Sequence, residues 1–154
     1  MERLSNDQWG FESNCFVCEE RNGSGLRIPF FHDRDSEQVF AEFSLNDAFS
    51  GAPAYAHGGV VLAILDEAMA WATIALEQTF AVTVETSSRF RQPVRIGERY
   101  QVHARVVGDD GAGTLSCEAE VVGAGGAVCA TAAARFVALG PAKLLDATRR
   151  APHA

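Results

Sequence analysis

The residues best suited to chemistry lie between His57 and Glu67. His57-Gly58-Gly59 opens directly into a long apolar run, and Asp66-Glu67 interrupts that run eight positions after Gly58. Glycines at the start of a helix leave backbone N–H groups open to a ligand at the positive end of the helix dipole. An N–H placed there can stabilise the negative charge that builds on a carbonyl oxygen under attack. Adjacent carboxylates in an apolar helix cost several kcal/mol to bury unless they are paired. At about 100° per residue the two point in different directions, so they do not form a dyad sharing one proton. One is expected to face a site and the other to be solvated or paired. On these residues alone, an ordinary loop-to-helix joint with two surface carboxylates remains the competing reading.

Helix geometry constrains the chemistry further. A rise of about 1.5 Å per residue puts Gly58 and Asp66 about 12 Å apart in one chain, too far to serve the same carbonyl. If two such helices run antiparallel across a twofold axis, Gly58 of one chain approaches Asp66 of the other.

The element that positions these residues spans Gly59 to about Glu77. Its apolar residues cover the whole helical circumference, which predicts a buried helix, and no other long helical segment is evident. Four β-like runs follow at 82–92, 98–107, 114–122 and 127–139, joined at Gly108-Asp-Asp-Gly111-Ala-Gly113 and Gly123-Ala-Gly125-Gly126. These glycine-dense joints have hairpin length, so three consecutive antiparallel pairings are expected. Runs 26–31 and 38–45 flank the polar 32–36 and suggest an earlier antiparallel pair. The expected fold is α+β: a long antiparallel sheet of five to six strands wrapped around one central helix. It divides into an N-terminal extension and loop (1–25), the domain proper (26–140) and a tail (141–154) that could add one short helix, although Pro152 and the terminal position favour fraying. Such a unit leaves strand edges uncovered, which predicts a dimer at least.

Composition narrows the partners. The chain has 154 residues, enough for one core, and is 47% hydrophobic and 21% charged, as ordinary globular domains are. A net charge of -7 with no dense Lys/Arg run disfavours nucleic acid. No apolar stretch is expected to reach the roughly 20 residues of a membrane span, and the first residues lack the apolar core of a signal peptide, so a cytoplasmic protein is expected. Cys117 and Cys129 sit in apolar runs as small reduced hydrophobes, and no structural disulfide is expected. Cys15-Phe-Val-Cys18 has no second CxxC or HxxxH to complete a zinc site and no βαβ context for a redox pair, so no metal is expected.

Four segments together resemble the hotdog-fold thioesterase superfamily, and within it the phenylacetate-degradation type of acyl-CoA thioesterase. They are Cys15-Phe-Val-Cys18 with Asn22 and Gly25-Leu26; Tyr55-Ala-His57-Gly58-Gly59; Leu65-Asp66-Glu67-Ala68-Met69; and Thr83 through Arg89-Phe90-Arg91-Gln92-Pro93-Val94-Arg95-Ile96-Gly97. The resemblance implies hydrolysis of an acyl-CoA thioester to free acid and CoA, without a cofactor. It assigns carbonyl polarisation to the Gly58 N–H and attack to Asp66 of the opposite subunit, as nucleophile or general base. Thr83 is then the hydroxyl that orients water or carboxylate, and His57 orients the oxyanion loop. Gly59 and Glu67 are expected beside the substrate. Arg89 and Arg91, two apart on one strand face, are candidates for the CoA phosphates. Many relatives carry Asn or Gln where this chain has Gly51, which leaves Gly58 as the better-supported donor. The implied assembly is a homo-oligomer, a dimer or a dimer of dimers. A non-catalytic acyl-CoA-binding protein is the alternative. A hydratase or dehydratase of this fold often displays a helical histidine where this chain has Trp71.

Overall fold

The computed structural model describes residues 1–149. Its elements are β1 (Glu2–Arg3), β2 (Phe31–Asp33), β3 (Gln38–Phe43), α1 (Gly58–Glu77), β4 (Ala81–Phe90), β5 (Tyr100–Asp109), β6 (Thr114–Gly123), β7 (Val128–Ala138) and α2 (Pro141–Ala147). The strands form one antiparallel sheet of seven in the order β1-β2-β3-β5-β6-β7-β4, wrapped around α1 in the hotdog arrangement. The sheet exceeds the expected five to six strands because two residues near the N-terminus pair with Phe31 and His32.

The two glycine-dense joints are hairpins, as their composition predicts. At β5–β6 the Asp110 carboxylate accepts the N–H groups of Ala112 (2.7 Å) and Thr114 (3.0 Å), and Gly111 and Gly113 take left-handed φ of 73° and 98°. The third expected pairing is not formed: β4 pairs with β7, and β5 pairs with β3. The cause is the connection after Phe90. Its backbone is tied to the stretch preceding α1, with Ala56 N–H on Val94 O (2.7 Å), Ile96 N–H on Ala54 O (3.0 Å) and Gly97 N–H on Leu45 O (2.8 Å). The chain therefore crosses the start of α1 before β5 begins, and β4 is left as the sheet's outer edge.

α1 presents Val61, Ile64, Leu65, Ala68, Met69, Trp71 and Ala72 to the sheet, all at most 2% exposed. Each large side chain so buried contributes about 1.5–3 kcal/mol. Ala130, Ala132 and Ala134 of β7 bury against this core, small enough to let the helix approach. Leu4 and Val17 belong to the same core, which ties the N-terminal segment to the domain. Burial does not extend around the whole helix as its composition suggested. Leu62, Ala63, Asp66, Glu67 and Ala70 are only half-buried, because the sheet covers one side. α1 is also long and apolar enough, at 20 residues and a mean hydropathy of 1.7, to cross a membrane, which corrects the expectation that no stretch would reach that length. Here half of it is packed inside a protein core. The short tail helix is present as α2, whereas the fraying expected near Pro152 lies outside the described residues.

Candidate active site

The site is built from the start of α1, its middle, and the inner face of β4. His57 is the N-cap: its backbone is extended, and its Nδ1 accepts the Gly59 N–H at 2.9 Å. That bond satisfies one of the donors that a helix start leaves without a partner, and it fixes the imidazole. The His57 N–H is held in turn by Phe49 O at 2.9 Å. A Cβ on Gly59 would stand 3.1 Å from His57 Nδ1, so a side chain there would press on the cap. Gly51 lies behind the cap, where a Cβ would be 3.4 Å from His57 Cα. At Gly58 a Cβ would meet nothing within 4 Å, and its N–H has no acceptor among the described residues. The cap thus orients the loop, and Gly58 offers an open donor at the helix N-terminus.

Asp66 and Glu67 diverge as helix geometry requires. Asp66 Oδ1 accepts the Thr83 hydroxyl at 2.7 Å. Thr83 reaches it through a β-bulge. In the β4–β7 ladder Thr83 lies opposite Phe136 and Glu85 opposite Arg135, so Val84 is the extra residue. Bulges re-aim side chains by breaking the alternation of faces. Without this one, Thr83 would share the outer face with Glu85, Ser87 and Arg89. With it, Thr83 joins Thr86, Ser88 and Phe90, which lie opposite the buried Phe136, Ala134, Ala132 and Ala130 and so face α1. This inner face of β4 is largely exposed in the single chain.

Glu67 turns toward the N-terminal loop instead of toward Asp66 and Thr83. Cys15 Sγ and Glu67 Oε1 share a hydrogen bond of 3.2 Å, and one ligand atom each from Cys15, Cys18 and Glu67 lies within 4.8 Å of the other two. The hydrogen bond with Cys18 draws the Cys15 thiol down to about 6, while Cys18 is pushed up by the same pairing and by burial. Burial, and next the Cys15 charge, push the Glu67 carboxyl up to about 8. Nothing in the spacing of the sequence indicated this cluster, since 49 positions separate Cys18 from Glu67. The only signal was that Glu67 needed a partner if buried.

The two arginines expected on one strand face are separated. β4 ends at Phe90, and both Arg91 N–H and Gln92 N–H turn to Cys129 O (2.7 and 3.1 Å), which ends the strand alternation. Arg89 lines a cleft on the outer sheet face with Ser87, His103 and Glu118. Arg91 lines a hollow of about 270 Å³ beside Gly58, with Tyr55, Val61, Phe90 and Pro93. The Arg95 guanidinium lies over the Tyr55 ring, 5.4 Å from its centroid, at the same end of the helix. Trp71 is a core residue, 2% exposed.

Comparison with known proteins agrees with this architecture. The family model of the thioesterase superfamily matches residues 54–130, which include His57, Gly58, Asp66 and Thr83. No curated protein matches the chain in sequence. Among solved structures, one thioesterase superfamily protein superposes with a TM-score of 0.74 at 22% identity over 80% of this chain, which spans 60% of that protein's length. The Escherichia coli PaaI protein of the phenylacetic acid degradation operon gives 0.66 at 19% identity, covering 75% of this chain and 81% of that one. A Streptococcus mutans protein bound to acetyl CoA gives 0.63 at 21% identity, covering 68% of this chain and 82% of that one. The chain spanning His57, Asp66 and the β4 bulge thus belongs to the thioesterase superfamily.

Proposed function

We propose that this protein hydrolyses acyl-CoA thioesters to the free acid and CoA. The observation that carries the reading is the Thr83–Asp66 hydrogen bond, which fixes one carboxylate oxygen and, among the described residues, leaves the other without a hydrogen-bond partner beside an exposed inner strand face. With a substrate present, the Gly58 N–H donates to the thioester carbonyl oxygen. Asp66 then either takes the proton of an attacking water or attacks the carbonyl itself, forming a mixed anhydride that water cleaves. In both routes the C–S bond breaks, the thiolate of CoA leaves and is protonated, and one water is consumed. Arg91, beside Gly58, is the better placed of the two arginines for a CoA phosphate.

The donor and the carboxylate belong to different subunits in this reading. Gly58 and Asp66 lie on one unbroken helix, about 12 Å apart by helix rise, so one chain does not bring them to one carbonyl. The outer edge of β4 offers the means of assembly. It is ten residues long, unpaired on one side among the described residues, and carries Val82, Val84 and Phe90 at 44%, 56% and 52% exposure. Such an edge is rarely left bare, and twofold pairing there extends the sheet while bringing the two α1 helices alongside. Purified protein tested against acyl-CoAs of graded length should release free thiol, and Asp66→Asn and Asp66→Ala should each lose at least about 100-fold in kcat/KM, the low end for a positioned acid or base. Saturable binding of CoA esters without thiol release would refute hydrolysis in favour of a binding protein.

A further inference from the structure

Outside the proposed active site, one group of side chains has donor chemistry that neither hydrolysis nor packing uses. Cys15 and Cys18 stand on a loop that is itself well tied down: Leu26 N–H bonds Phe16 O (2.8 Å), Ile28 N–H bonds Val17 O (2.9 Å) and Asn22 Nδ2 bonds Asn14 O (3.0 Å). At Gly25 a Cβ would come within 2.5 Å of Phe16 O, so the loop closes only with glycine there. This scaffold holds both sulfurs against the middle of α1, where Glu67 meets them.

From these positions we infer that Cys15, Cys18 and Glu67 form a binding site for a thiophilic divalent cation of the zinc class. The ligand atoms all lie within 4.8 Å of one another. Around a tetrahedral zinc with Zn–S near 2.3 Å, two sulfurs stand roughly 3.8 Å apart and a sulfur and a carboxylate oxygen somewhat closer. The observed 3.2 Å between Cys15 Sγ and Glu67 Oε1 needs only a small opening to reach that spacing. Both sulfurs also receive N–H donors, as metal-bound thiolates do: Cys18 N–H on Cys15 Sγ at 3.4 Å, and Asn6 Nδ2 on Cys18 Sγ at 3.7 Å.

Glu67 is the independent observation. No Lys, Arg or His among the described residues pairs with its carboxylate, and its neighbours are two sulfurs and Asp66. A cation satisfies that carboxylate and both thiolates together, whereas a Cys15–Cys18 disulfide would leave Glu67 facing spent sulfurs. Two thiolates select zinc-class ions over magnesium or calcium, which prefer all-oxygen shells. Three protein ligands leave a fourth position for water. The site would clamp the N-terminal loop to α1 one residue from Asp66. Glu67, supplied from the central helix, replaces the second ligand pair whose absence argued against zinc in the sequence.

Reduced full-length protein loaded with zinc sulfate and dialysed against metal-free buffer should retain one zinc per chain by mass spectrometric metal analysis. Cobalt(II) in its place should give tetrahedral d–d bands and sulfur-to-cobalt charge transfer, a signature that surface histidines do not produce. Cys15→Ser and Cys18→Ser should abolish the charge transfer or weaken metal binding severely. Glu67→Gln should weaken zinc at least about tenfold, the low end for disturbing a ligand set. Circular dichroism of each variant separates metal loss from unfolding, and the cobalt spectrum of the wild type needs no variant. Substoichiometric zinc with no charge-transfer band in the reduced wild type overturns the inference. So does a folded Glu67→Gln protein with undiminished affinity.

Discussion

Replacing Thr83 by valine removes one hydroxyl while keeping a β-branched side chain suited to the strand, and it isolates the bond to Asp66. That bond is 2.7 Å long with a carboxylate acceptor. In the single chain it is open to solvent, and water can replace the hydroxyl. A net loss of about 0.5–1.5 kcal/mol then applies, or roughly 2- to 13-fold in kcat/KM. If a partner strand covers β4 and dries the site, the range for a bond to a charged group applies, about 1.5–3 kcal/mol or roughly 10- to 150-fold. The composite-site reading therefore expects Thr83→Val to fall in the larger range. In an Asp66→Ala background the hydroxyl has no carboxylate to hold, and the same substitution should cost less than about twofold, a coupling of the size seen for groups in direct contact. The assay is thiol release from the best acyl-CoA of the panel, with the four proteins compared at matched folding by circular dichroism. Equal fold losses in both backgrounds would refute the reasoning. Full kcat/KM in Thr83→Val alone would refute it as well.

Three further outcomes test other parts of the structure. Arg91→Ala should raise KM for acyl-CoA several-fold, by about 1 kcal/mol for a solvated phosphate contact, and the difference from wild type should shrink with salt, whereas Arg89→Ala on the outer face should change neither KM nor kcat. In the reduced, metal-free protein, iodoacetamide should alkylate Cys15 at a rate that rises with pH through about 6 and levels near neutrality, because the thiolate is the nucleophile, with Cys117, pushed up to about 12, unreactive in the folded state. A Cys15 rate that still climbs above pH 8 would contradict its lowered value. Phe136→Ala, at a side chain with no exposure, should lower unfolding free energy by about 3–5 kcal/mol in urea titration, and a loss below 1 kcal/mol would show that the core beneath Thr83 is not packed as described.

The apolar run after His57 determined the central helix, and the glycine-dense joints determined two hairpins, because these features are local: period, turn chemistry and capping act over a few residues. Those same local rules separated Asp66 from Glu67 and set Gly58 far from Asp66 along one helix. Strand order was not legible. The connection after Phe90 is held by bonds to residues 45–56, and such long-range ties leave no mark in the pattern of the strands they separate. The resemblance singled out Thr83, but alternation alone would have put it on the face of Arg89. One extra residue at Val84 reverses that, and a bulge is visible only in the register between two strands. The partner of Glu67 was hidden for a like reason. Two cysteines and a glutamate at distant positions become one cluster only when the N-terminal loop folds onto α1, because side-chain chemistry acts through space and sequence spacing does not encode it.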